Sequence, residues 1–404
     1  MVPFKVQVKA YQGLMKGLKV VVTTLPFPKP TLFTGPGSSV KMAQEMGRMG
    51  IGKVLVVTDA HLVKLGLLDN ILKALTDGGV EYVVYDGVLP DPTIDQVEAG
   101  VSMMKRDGCE SVLAIGGGSA MDCGKIIAAM MTNKRPINKL TGIFKLRATP
   151  LPIFAIPTTA GTGSEVTIAA VISDPVNKAK NPIIDPRLAP MLAALDPELM
   201  TGLPPHITAA TGMDALTHAV ESYLSVNATV ETDLHAVAAV RLIMENLPKA
   251  YAKGDDLVAR ENMALASYYA GLAFTKAGVG YVHAIAHNFG AYYHTPHGLA
   301  NAIVLPHILD YSKDAVLPRM AYLAEICGLK KGGESDIALA DAFIAHVRKL
   351  AGDMGIPERL DALQASDIPA ITKAALKEAH YTYSVPKYMD KETCEHLIGG
   401  MLPA

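Results

Sequence analysis

The sequence predicts an α/β domain built on a parallel sheet, followed by an all-helical domain. Three observations carry this reading. Short apolar, β-branched runs alternate with helical stretches through the first half, and several of those runs end in glycines or hydroxyl residues. Beyond Leu203-Pro204-Pro205 the pattern changes to long alanine- and leucine-rich segments of helical period. The chain has 404 residues, more than one hydrophobic core usually serves. Two domains are therefore expected, 1–205 and 206–404, with residues 1–30 as an extension that packs on the body or on a neighbouring subunit.

The elements follow in order. KVLVVTD (Lys53–Asp59) reads as a strand, followed by a helical stretch through Leu75. EYVVYDG (Glu81–Gly87) is a second strand, and Ile94–Lys105 has helical spacing. SVLAIGGGS (Ser111–Ser119) and PIFAIPTT (Pro152–Thr159) are the third and fourth strands. In the second half, Ala209–Leu224, Thr232–Asn246, Arg260–Ala273 and Ile337–Asp353 read as helices. Ligands of open parallel sheets bind at the carboxyl ends of the strands, here Thr58-Asp59, Gly116–Ser119 and Thr158–Ser164.

Composition removes several function classes. A net charge of -2 offers no electrostatic fit to nucleic acid or to an anionic membrane surface. The four cysteines are scattered and form no CxxC pair, which suits a reducing cytoplasm. The opening residues lack the long apolar stretch of a signal peptide. From Ala277 to Leu309 no Asp, Glu, Lys or Arg occurs, yet the segment holds five histidines with prolines and glycines between them. That pattern argues for a buried polar site over a membrane span.

IGGGSAMDCGK (Ile115–Lys125) runs from a strand through three glycines into a helix. The absence of Cβ atoms lets backbone approach a phosphate, and the helix N-terminus offers free N–H groups. Ser119 is a candidate cap or phosphate donor, and Asp122 is expected in the first helical turn. TTAGTGSEVT (Thr158–Thr167) places a second glycine- and hydroxyl-rich loop at the next strand end. Either loop alone is explained by a plain turn; together they form a cradle for a pyrophosphate and ribose. The pattern is neither GxGxxG nor a P-loop. Asp59 is placed either to accept from a ribose 2′-hydroxyl, favouring NAD over NADP, or to cap a helix.

Asp214 and His218 in TGMDALTHAVESY stand four residues apart, on one helical face, with Glu221 three further on. Four of the twelve histidines fall within fifteen residues in YVHAIAHNFGAYYHTPHG. His283 and His287 again share a helix face, and His297, between Pro296 and Gly298, is expected to project from a loop. One carboxylate with two or three imidazoles suits Fe2+ or Zn2+ and not Ca2+.

Taken together, GGGSAMD, TTAGTGSEVT, GMDALTHAVESY and HAIAHNFGAYYHTPHGLANA closely resemble the iron-containing (group III) alcohol dehydrogenases, from about Pro30 to the C-terminus. The resemblance implies the fold shared with dehydroquinate synthase, and an NAD-linked, metal-dependent oxidoreductase acting on a small primary alcohol or diol, or its aldehyde. It implies Asp214, His218, His283 and His297 as metal ligands and His287 as a proton-relay or positioning residue. It places the pyrophosphate on Gly116, Gly117, Gly118 and Ser119, with Asp122 supporting the turn. Thr158, Thr159, Thr162 and Thr167 match nucleotide contacts, Lys180 a ribose-contacting lysine, Asp59 the NAD-selecting acid and Phe274 a substrate-pocket aromatic. At least a homodimer is implied. Three features depart from the family pattern: Asp91 stands where many members have Asn, SVPKYM where NPR is common, and the N-terminal extension is absent from shorter members.

The rival readings are a glycerol dehydrogenase-like polyol oxidoreductase, a dehydroquinate-synthase-like lyase, or a metal-binding protein without catalysis. No Lys/Arg phosphate cluster accompanies His283–His297, which disfavours the lyase. A non-catalytic metal binder leaves both glycine-rich loops unexplained.

Overall fold

The computed structural model describes residues 3–24, 27–174 and 179–403. Nine strands occur among them: β1 (Thr31–Thr34), β2 (Lys53–Val57), β3 (Glu81–Tyr85), β4 (Ser111–Gly116), β5 (Gly142–Ile143), β6 (Ile153–Pro157), β7 (Ala169–Asp174), β8 (Ala179–Ile184) and β9 (Leu192–Leu195). Six of them form one sheet in the order β1-β9-β6-β4-β2-β3, and every neighbouring pair is parallel. The remaining three form a small mixed sheet in the order β5-β8-β7.

The continuous apolar runs of the large sheet have a direct cause. Leu55 and Val57 of β2 join one buried cluster with Val97, Val101, Ile126 and Ile127, from helices Ile94–Asp107 and Gly118–Thr132. Val54 and Val56 join another with Met42, Met46, Ile71 and Leu75, from helices Ser38–Arg48 and Asp69–Asp77. Alternate residues thus face opposite helical layers, and neither face can be polar. Because β2, β4 and β6 are parallel neighbours, their carboxyl ends lie at one edge of the sheet. Gly116 is in register with Pro157, so both glycine-rich loops leave the sheet side by side.

The chain divides into two compact units: residues 27–203 with 255–264, and Pro204–Gly254 with residues 265–403 and the opening helix. That helix, Phe4–Thr24, differs from the expectation, which grouped residues 1–30 with the α/β domain. Its Tyr11 ring lies 4.8 Å from His380 and 5.6 Å from Tyr388, and Lys19 Nζ donates to Val226 O at 2.8 Å. The i, i+4 pair Tyr11 and Met15 supplies the buried face.

Within the helical unit, Pro205–Leu224 is buried along most of its length. It packs against Val230–Ala252, which opens on a Thr229/Thr232 capping box, and against His297–Ser312. The uncharged run does not form one long helix. It folds as Tyr281–Tyr293 and His297–Ser312, separated at His294, which has φ +54°, and Pro296. Among the described residues no helix is long and apolar enough to cross a membrane.

Candidate metal and cofactor sites

Helix Pro205–Leu224 presents Asp214 and His218 one turn apart, both buried. Helix Tyr281–Tyr293 brings in His283, also buried, and His297 is the first residue of helix His297–Ser312. The expected loop placement of His297 is therefore corrected. Pro296 has φ fixed near the helical value and needs no N–H, so it serves as the helix N-cap instead of extending a loop. Gly298 makes the approach possible: a Cβ there would stand 2.3 Å from the carbonyl oxygen of Ala210.

One ligand atom from each of Asp214, His218, His283 and His297 falls within a set whose members all lie within 4.8 Å of one another. Asp214 Oδ1 is 3.5 Å from His297 Nε2, 3.9 Å from His283 Nε2 and 4.0 Å from His218 Nδ1. Donors about 2.1 Å from a tetrahedral ion stand roughly 3.4 Å apart, so a small inward movement suffices. Burial, reinforced by the neighbouring imidazoles of His218, His297 and His287, holds the His283 pKa well below its usual value. The ring is therefore neutral, the form that binds a metal. The donor set fits a divalent transition ion.

The surroundings orient these ligands. Glu221 Oε2 lies 2.6 Å from His283 Nδ1, and Glu221 Oε1 accepts the Val282 N–H at 2.8 Å. A proton on Nδ1 leaves Nε2 as the ligand atom. Burial pushes the Glu221 carboxyl up to about 8, against the pull of its backbone hydrogen bonds. Asn301, wholly buried, donates from Nδ2 to Asp214 Oδ1 at 2.7 Å and lies 3.1 Å from His297 Nε2 and 3.3 Å from His283 Nε2. Its Oδ1 is buried without a hydrogen-bond partner. Phe274 stacks on His218 at 4.3 Å between ring centroids. His287 stacks on His297 at 5.3 Å and bonds through Nδ1 to Glu378 at 2.7 Å.

In the α/β unit, Asp59 caps helix Ala60–Lys64, with Oδ1 accepting from His61 N and Leu62 N at 2.9 and 3.0 Å. Its Oδ2 lies 3.9 Å from where a Gly116 Cβ would stand, so the same carboxylate borders the glycine turn. A Cβ on Gly118 would stand 2.8 Å from Thr162 Cγ2, and one on Gly117 would stand 3.6 Å from Thr159. The two loops thus face each other. Ser119 follows Gly118 on the first turn of the helix.

Asp122 is one turn further along that helix than expected, because the helix starts at Gly118. It binds the second loop, accepting from Ser164 Oγ and Val171 N, each at 2.9 Å. Lys125 adds four contacts from its buried ammonium: Ser164 Oγ, Thr167 O and Thr167 Oγ1 at 3.0 Å, and Ala169 O at 2.9 Å. Burial lowers the Lys125 pKa to about 8 and raises that of Glu165 to about 7. Thr158 and Thr167 are buried, whereas Thr159 and Thr162 are half-buried. Lys180 is paired with Asp91 at 2.8 Å.

Two family models match the chain: "Iron-containing alcohol dehydrogenase" over residues 29–197, and "Fe-containing alcohol dehydrogenase family, C-terminal" over residues 208–401. The chain belongs to the iron-containing alcohol dehydrogenase family. This dehydrogenase is 37% identical over 378 residues to the NAD-dependent methanol dehydrogenase of Bacillus methanolicus, covering 93% of this chain and 99% of that one. It is 41% identical over 367 residues to the 1,3-propanediol dehydrogenase of Citrobacter freundii, covering 90% and 95%. A crystal structure of a 1,3-propanediol oxidoreductase superposes with a TM-score of 0.90 at 38% identity, covering 93% of this chain and all of that one.

Sequence reasoning missed four residues of these sites. Asn301 carried a usable signal, lying four residues after His297 on what is now a helix. Lys125 closes the GGGSAMDCGK motif, but its burial was not legible. Glu378 and Tyr383 lie ninety or more residues from His287 in sequence and carried none.

Proposed function

We propose that this dehydrogenase transfers hydride reversibly between NAD and a small primary alcohol or diol, or the corresponding aldehyde. The observation that carries the reading is the convergence of one carboxylate and three imidazoles, Asp214, His218 and His283 buried and His297 partly exposed, with His283 neutral and anchored by Glu221. Relatives named for methanol and 1,3-propanediol dehydrogenation support a small alcohol or diol as substrate.

Asp214, His218, His283 and His297 would hold Fe2+, with Zn2+ as the competing ion of similar preference. Such an ion supplies Lewis acidity that lowers the pKa of an alcohol. Asp214 offsets half its charge, Glu221 and Asn301 keep the ligands oriented, and Phe274 walls the site beside His218. His287 accepts a hydrogen bond from the alcohol hydroxyl side. In the α/β unit, Gly116, Gly117, Gly118 and Ser119 receive the pyrophosphate of NAD at the helix N-terminus. Thr158, Thr159, Thr162 and Thr167 contact the nucleotide, while Asp122 braces the second loop through Ser164 and Val171. Asp59 reads a ribose 2′-hydroxyl, and Lys180, paired with Asp91, contacts a ribose. The scattered, unpaired cysteines support a reducing, cytoplasmic setting, and the family resemblance supports a homodimer or larger homo-oligomer.

The test is the absorbance of reduced nicotinamide after mixing purified protein, Fe2+, NAD+ and a panel of primary alcohols and diols. Reduction of NAD+ that requires both metal and alcohol is expected. Protein that binds iron yet reduces no NAD+ with any alcohol, and oxidises no NADH with any aldehyde, overturns the reading.

A further inference from the structure

His287 is held by a pair of side chains far from it in sequence. Its Nδ1 lies 2.7 Å from Glu378 Oε1, on helix Ile368–Thr382, and the Tyr383 hydroxyl donates to the same oxygen at 2.5 Å. Both His287 and Glu378 keep about 30% of their side-chain surface exposed, so this is not a core contact that packing alone enforces. Burial raises the Glu378 pKa, but the hydrogen bond and electrostatic pull of His287, the Tyr383 hydrogen bond and the pull of His297 together outweigh it and keep the carboxyl below its usual value. An ionised carboxylate accepts only, so the proton of a neutral His287 belongs on Nδ1. The other nitrogen, Nε2, is then a lone pair.

The ring so fixed is not a bystander to the metal ligands. It stacks on His297 with planes 18° apart and stands 6.0 Å from His283 between centroids. A neutral imidazole without an anchoring carboxylate exchanges between tautomers and rotates about χ2, and half of those states show a ring N–H where an acceptor is required. The Tyr383 hydroxyl removes a further freedom by holding Glu378 itself.

We propose that Glu378 is a positioning residue for alcohol oxidation: oriented by Tyr383, it fixes the ring plane and Nδ1–H tautomer of His287, presenting Nε2 as hydrogen-bond acceptor to the alcohol hydroxyl. The inference rests on the reading of His287 given above and adds two residues to it. It differs from a plain helix-to-helix tether between Tyr281–Tyr293 and Ile368–Thr382, which would act on stability and not through His287.

The experiment is a double-mutant cycle on the iron-loaded enzyme, using Glu378→Gln, Tyr383→Phe, His287→Ala and the Glu378→Gln/His287→Ala pair. His287→Ala is expected to lower kcat about 100-fold, and Glu378→Gln about 10-fold, with KM for NAD+ and iron affinity by chelator competition unchanged. Added to His287→Ala, Glu378→Gln has no further effect. Nitrogen-15 spectra of histidine-labelled enzyme lose the Nδ1–H signal of His287 in Glu378→Gln. Tyr383→Phe shifts kcat in the same direction by less, and reads the same coupling should Glu378→Gln fold poorly. The inference is overturned if Glu378→Gln retains wild-type kcat, or lowers kcat by the same factor with and without His287. A His287→Ala enzyme of wild-type kcat instead overturns the assignment of His287 itself, a separate failure.

Discussion

Replacing Gly298 with alanine tests how closely two helices must approach to assemble the metal ligands. The new methyl would stand 2.3 Å from the Ala210 oxygen and 2.7 Å from the Ala210 carbonyl carbon. Both are backbone atoms and cannot rotate away. Reaching 3.0 Å, below which Cβ contacts essentially do not occur, means withdrawing helix His297–Ser312 from Pro205–Leu224 by about 0.7 Å. Asp214 and His218 lie on one of these helices, His297 and Asn301 on the other. The same movement therefore widens the 3.5 Å Asp214–His297 separation and strains the 2.7 Å bond from Asn301. Iron affinity should fall about 10- to 100-fold, or roughly 1.4–2.8 kcal/mol. Folding stability should fall by about 1–3 kcal/mol. Chelator competition reads the first, and thermal unfolding in excess chelator the second. A folded Gly298→Ala protein with wild-type iron affinity would refute the claim that this glycine seats His297.

Three other outcomes are expected. Glu165 keeps its proton in the folded chain up to about pH 7 but loses it near 4.5 once exposed. The folded state thus holds the extra proton between those values, and stability falls as pH rises through that window. Glu165→Gln should flatten this slope, worth up to about 3 kcal/mol, in urea midpoints measured at pH 5 and 7.5; an unchanged slope would exclude Glu165 as its source. Asp59→Asn retains an oxygen to cap helix Ala60–Lys64 while removing the charge beside Gly116, so it should raise the kcat/KM ratio of NADP+ to NAD+ about tenfold or more without lowering Tm. An unmoved ratio removes Asp59 from cofactor selection. Asn301→Ala takes a donor from buried Asp214, and iron dissociation should quicken in proportion to an affinity loss of about tenfold; identical chelation kinetics would show the amide to be idle.

The central strands were legible because burial on both faces forces unbroken apolar runs, as in KVLVV and SVLAIG. Strands β1 and β9, TLFT and LAAL, are four residues each, too short for a period to show. The small sheet was missed because β8 contains Pro182, which reads against a strand, and because β5 is only two residues long and pairs with β8 about forty residues further on. On the metal side, helical spacing pairs Asp214 with His218 and His283 with His287, but spacing cannot say that the two pairs meet. His297 was misplaced because a proline followed by a histidine and a glycine reads as a loop, whereas here the proline starts a helix. For Asp59 the sequence offered a helix cap among its readings, which Oδ1 fulfils, but spacing could not say that Oδ2 would border the glycine turn.

The stretch from Ala277 to Leu309 has a consequence for biogenesis. Nothing in it repels another copy of itself at neutral pH, since it lacks every acidic and basic side chain but histidine. Its shelter comes from both directions along the chain: Pro205–Leu224, already synthesised, covers His297–Ser312, whereas Tyr281–Tyr293 packs on Ile368–Thr382, which emerges later. A nascent or truncated polypeptide ending before residue 368 therefore displays an uncharged, adhesive surface. Such fragments are expected to aggregate or to recruit chaperones, and refolding yields should decline steeply with concentration.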